Sequence, residues 1–248
     1  MAHLYGYDAT MVANSGLDGS GFACQASDTR LELAIELFLI LFRDPDAFVT
    51  FLIGPDEKKF IVHKEFACNY SPILKAAFNS QFIEGQTQTY RLEDTTEGTV
   101  RLFVQWLYYQ QLEILQLQDD DVDDDLAIDE DKSLFGVWIL ADKLGAPHLQ
   151  NLAIESIKKI NRKTQGLATM HLHYIYDNTS AGSLLRRYMV DQCRNYLLPE
   201  SYTECPHYFP HEFLIELAAS HPVQDDVDEI EMGLFCGLEM LNRSEKDG

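Results

Sequence analysis

The strongest constraint on this chain is where its β pattern falls: in one early stretch and nowhere else. Phe48–Ile53 (FVTFLI) reads as a strand, Gly54-Pro55-Asp56-Glu57 as a turn, and Lys59–Val62 (KFIV) as a returning strand. Together they spell a β-hairpin with a loop longer than the tightest class. Tyr90-Arg91-Leu92 is a short third strand. Every other periodic segment repeats its apolar residues at i, i+3 and i+4, the helical spacing. A small early sheet followed by helices is the signature of an α+β fold.

The helix signals are local and specific. Lys64–Tyr70 is one short helix; Ser71-Pro72 opens the next, with Ser as N-cap and Pro at the first helical position. Asp94 with Glu97 three residues on resembles a capping box for the helix carrying Val100, Phe103, Val104 and Leu107. Ser133 is read as the cap of a helix with Leu134, Val137, Trp138, Ala141 and Leu144 on one face, ended by Gly145. Pro147 opens another, and helices follow at about 167–177, 184–197, 211–219 and 227–241.

Ahead of the sheet, Thr29–Arg43 places Leu31, Ala34, Ile35, Phe38, Leu41 and Phe42 at helical spacing. Leu33, Leu37, Leu39 and Ile40 widen that stripe until it nearly encircles the helix. Such a helix needs cover from its own domain, from a second subunit, or from both. Residues 1–28, rich in Gly, Ser, Ala and Asp without a sustained period, read as a mobile leader.

Charge narrows the function. The formal net charge is −21, and nine acids in Asp119–Asp131 plus five in Asp225–Glu231 account for all but −7 of it. A chain short of Lys and Arg is a poor ligand for a polyphosphate backbone or an anionic membrane, so neither direct nucleic-acid binding nor membrane binding is expected. Five widely spaced cysteines without a CxxC pair suit reduced thiols and an intracellular, cytoplasmic or nuclear, location. The acidic segment 117–132 reads as a solvated, disordered insertion. Asp119, Asp121, Asp123 and Glu130 fit positions of a calcium loop, but Asp124 stands where that loop needs Gly. Cys193, Cys205, His207 and His211 have a spacing that fits no standard zinc finger. No catalytic arrangement is evident, and no cofactor is expected.

Six stretches in order carry a family resemblance: Val49–Gly54 (VTFLIG), Phe60–Lys64 (FIVHK), Ser71–Phe78 (SPILKAAF), Tyr90–Asp94 (YRLED), Phe103–Tyr109 (FVQWLYY) and Ala141–Leu149 (ADKLGAPHL). They resemble a BTB/POZ domain, especially the long form common among fungal proteins. The family motif falls on His63, Lys64, Ser71, Pro72, Tyr108, Ala141, Asp142 and Lys143. Phe48 stands where many members carry Asp, Ala67 at a usual Leu, and Tyr109-Gln110 replaces the usual Thr-Gly after Tyr108. Loss of that glycine turn suggests a helix running directly into the acidic insertion.

The resemblance implies a small β-sheet flanked by a helical cluster, spanning residues 29–161, with a helical C-terminal extension over 162–248. It implies a non-enzymatic protein-interaction module that homodimerises, with Leu31, Ala34, Ile35, Phe38, Leu41 and Phe42 at the interface. In the ubiquitin-ligase branch a hydrophobic-x-Glu triplet after the Ser-Pro helix contacts a cullin scaffold, and Phe82-Ile83-Glu84 occupies that position. The chain would then be an adaptor linking a partner to a cullin-type ubiquitin ligase. The alternative is a nuclear repressor-type scaffold acting through protein partners.

Overall fold

The structure is a computed structural model and describes residues 44–220. The expected leader, the Thr29–Arg43 helix with its six interface residues, and the expected 227–241 helix lie outside the described residues. The chain divides into two compact units, 1–159 and 160–248.

In the first unit, β1 (Phe48–Ile53) and β2 (Lys58–His63) pair antiparallel, with Phe48 opposite His63 and Ile53 opposite Lys58. β3 (Thr89–Leu92) lies on the other side of β1 and runs parallel to it, giving the mixed order β2-β1-β3. A parallel partner needs a crossover. It is supplied by α1 (Lys64–Tyr70), α2 (Pro72–Phe78) and α3 (Ile83–Thr87). β1 is central and fits its sequence: Val49, Phe51, Leu52 and Ile53 are all buried. Phe51 meets Phe78, Tyr90 and Phe103 edge-on, a packing that aromatic quadrupoles favour.

The helical layer is α4 (Glu97–Tyr109), α5 (Leu115–Gln118), α6 (Asp124–Leu144) and α7 (Pro147–Thr164). The structure differs from three local expectations. The cap of α4 is Thr96, whose side chain accepts from the Thr99 N–H; Glu97 is already helical and pairs with Lys58 and Arg101. α4 does not run on into the acidic segment. It stops at Gln110, which adopts the left-handed conformation (φ 53°) without a glycine. Its side-chain amide donates back to the Trp106 carbonyl at 2.8 Å, a local bond that helps hold the turn.

The third difference concerns the acidic segment. Asp124–Asp131 is ordered helix, the opening turns of the 21-residue α6, and Ser133 lies inside it with its hydroxyl donating to the Asp129 carbonyl. Asp123 is the cap, accepting from the Asp125 N–H at 3.0 Å, and carboxylates at a helix N-terminus sit at the positive end of its dipole. Glu130 accepts from the N–H groups of Leu115 and Gln116, so an acid of α6 satisfies the orphan donors of α5.

The second unit holds a 3₁₀ turn (Thr169–His171), α8 (Leu172–Asp177), α9 (Leu184–Tyr196), α10 (Pro199–Glu204), a further 3₁₀ turn (Pro206–Tyr208) and α11 (His211–Ser220). Leu172, Ile175, Leu185, Met189, Cys193 and Phe213 form its core. Arg186 is buried there and fully employed. It donates to Thr179 Oγ1 and to the Tyr176 and Thr179 carbonyls, pairs with Glu212, and stacks over the Tyr176 ring at 4.2 Å. A buried guanidinium survives only with such a set of acceptors.

Candidate interaction surface

Most of the family-motif residues build the frame, while Asp142 and Lys143 lie on the surface. His63 ends β2 and caps α1; its N–H donates to the Tyr108 hydroxyl at 3.1 Å, and its Nδ1 lies 2.9 Å from the same oxygen. The Ser71 hydroxyl accepts from the Leu74 N–H and donates to the Leu144 carbonyl at 2.7 Å, tying the start of α2 to the end of α6. Pro72 is at the first turn of α2, and Ala141 is fully buried. Asp142 accepts from Gln150, Lys143 is exposed, and Gly145 closes α6 in the left-handed conformation. Lys64 donates to the Phe78 carbonyl at 3.2 Å.

That carbonyl also accepts from Gln88 Nε2 at 3.0 Å, and Gln88 is the cap of α3, the helix that carries Phe82-Ile83-Glu84. The segment is therefore fastened at both ends. Ser80 donates to the Ala77 carbonyl and accepts from the Phe82 N–H, while Gln86 donates to the Gln81 carbonyl. The Gln88 carbonyl accepts from the Thr50 N–H at 2.9 Å, anchoring the far end to β1. Gly85 lets the turn close, since a Cβ there would lie 1.9 Å from the Ser80 carbonyl oxygen.

On this fastened knuckle Phe82 is 76% exposed and Ile83 65%. Neither returns to the core. Glu84 is half-buried beside Tyr90, whose phenol is pushed above its usual range by burial and secondarily by the Glu84 charge. Two large apolar side chains held out next to a carboxylate form a surface able to fill a partner's apolar pocket and accept its hydrogen bonds.

Reading the sequence alone overlooks the outer face of the sheet. Phe48 and Ile61 both turn outward, Ile61 being 65% exposed, and the Phe48 ring centroid lies 4.6 Å from that of His63. The alternation of β2, with Val62 in and Ile61 out, carries that signal. Among the described residues no group of three or more His, Cys, Asp or Glu is placed to hold a metal ion. The Cys193 thiol is buried and pushed up to about 12, far from a metal-ready thiolate, and His173 Nε2 lies 3.0 Å from the His207 carbonyl. No helix among the described residues is long and apolar enough to cross a membrane.

The BTB/POZ domain family model matches residues 39–161, and the chain is a BTB/POZ domain protein. Its fold is the α+β BTB fold, a three-stranded mixed sheet with helices, with further helices C-terminal to it. Among solved structures it is similar to the BTB (Tramtrack and Bric a brac) domain of human Gigaxonin, at 18% identity and a TM-score of 0.33, over 56% of this chain and 98% of that one. No curated protein matches the sequence. BTB domains are, in general, protein–protein interaction and dimerisation modules without catalytic activity.

Proposed function

We propose that the chain is an intracellular, non-enzymatic adaptor that homodimerises through its BTB domain and uses Phe82-Ile83-Glu84 to engage a cullin-type ubiquitin-ligase scaffold. The single observation that supports this reading is the knuckle itself. Apolar side chains as large as Phe82 and Ile83 are ordinarily drawn into a core, yet here a set of backbone and side-chain hydrogen bonds holds them in solvent. Removing that area from water on binding contributes favourably, and a fastened backbone loses little further entropy when it docks. The helical unit over 160–248 is the part of the chain free to recognise the protein delivered to the ligase.

The test is co-purification from cells. A cullin should accompany the tagged full chain, and the Phe82→Ala, Glu84→Ala double variant should lose it while retaining every partner held by the helical unit. A cullin recovered equally with both proteins would remove the triplet from the interface.

A further inference from the structure

The second unit carries a groove of about 390 Å³ between α9 and α11. Arg187, Val190 and Asp191 line it on the α9 side; Glu216, Ala219 and Ser220 line it on the α11 side. α11 buries Phe213 and Leu217 and turns Leu214 (40% exposed), Ile215 (55%) and Ala218 outward, so its apolar character continues beyond the face already covered. We propose that residues 227–241 of this same chain seat in the groove, with their apolar side against Val190 and Ala219.

Three observations commit the groove to this occupant. The described chain ends at Ser220, which is itself part of the groove wall and whose carbonyl accepts from Arg194 at 2.8 Å. The six residues 221–226 can span roughly 20 Å, enough for a return along α11. Beyond them Val227, Ile230, Leu234, Leu238 and Leu241 recur at spacings that put them on one side of a helical period. Arg187 supplies a cation for the incoming stretch: it is exposed and pairs with no acid among the described residues, while Asp225–Glu231 carries five acids. The groove's own acid on α9, Asp191, is offset by Arg194 at 3.8 Å. Glu216 does not oppose the incoming acids, because it accepts from the Tyr176 hydroxyl and lies 3.8 Å from Arg186.

Hydrogen exchange of the full-length protein, read peptide by peptide, tests this. Amides within 230–241 should exchange at least tenfold more slowly than in a free peptide of the same sequence, independent of protein concentration. Ala219→Glu, at an exposed position, should return them to the free-peptide rate, and Leu234→Glu with Leu238→Glu should do the same and raise exchange at 214–219. Exchange in β1 and α4 should stay unchanged in both. Free-peptide rates in the wild-type chain, or protection that survives Ala219→Glu, would overturn the proposal. Protection that grows with concentration would also overturn it, by assigning the groove to a second copy.

Discussion

Gly85 shows how one residue without a side chain can decide a surface. Its Cα passes so close to the Ser80 carbonyl that any Cβ must push the backbone aside, and the obstacle is main chain rather than a flexible side chain. Gly85→Ala should therefore destabilise the first unit by about 1–3 kcal/mol, the usual range for forced overpacking, read from the midpoint of urea unfolding. It should also weaken any interaction made through Phe82, because the helix carrying that ring would have to move. A variant as stable as the parent would mean that the Ser80 turn yields freely. Ser71 is a contrasting case: its hydroxyl serves as cap and as cross-link between α2 and α6, and the Ser-Pro pair made that half of its role readable from the sequence.

Among the elements, α6 departs most from expectation. The run Asp119–Asp131 suggests repulsion and disorder, yet its second half is helix, because Asp123 caps it and the helix dipole accepts the acids that follow. Burial holds the Asp131 carboxyl above the usual carboxylate range; the hydrogen bond from Gln116 opposes this and the Glu130 charge adds to it. The sign follows directly. A raised carboxylate pKa means that the charged form is less favourable in the fold than in the unfolded chain, so the cost is present at neutral pH and disappears as pH falls through the raised value. Asp131→Asn, which keeps an acceptor for Gln116, should raise stability at pH 7 by a few tenths of a kcal/mol and by less as the pH drops, measured by thermal unfolding across that range. A loss of stability at pH 7 would show that the charge is favourable where it sits.

The elements that were legible share a physical cause: their signals are local. β1, α1, the Ser-Pro start of α2 and the Gly145 stop are written in alternation, capping chemistry and backbone freedom within a few residues. What was not legible depends on distant partners. The choice of Thr96 over Asp94 as cap goes with Glu97 pairing with Lys58, 39 residues away in sequence. The stop at Gln110 needs a left-handed non-glycine residue, and the ordering of α5 needs Glu130, 15 residues on. The triplet Phe82-Ile83-Glu84 stands out in the sequence, but the hydrogen bonds that fasten it do not, since they come from Ser80 and Gln88 and need the close approach at Gly85.

At the scale of the molecule, the chain carries a BTB domain and a second helical unit, and the number of copies that associate sets how many of each act together. The dimer is proposed from the apolar residues of 31–42, which need cover whatever provides it. Phe38→Glu with Leu41→Glu should convert a dimer in sedimentation equilibrium to monomer or aggregate, whereas a wild-type chain that sediments as monomer at micromolar concentration would contradict it. The central claim, that the exposed knuckle is a binding surface for a cullin, is tested most directly by calorimetric titration of the purified full chain against a cullin N-terminal region. Phe82→Ala should weaken binding by about 2 kcal/mol, roughly 30-fold in Kd, and Glu84→Ala by less, with melting and sedimentation unchanged. Equal affinities for all three proteins, or no binding by any, would contradict it.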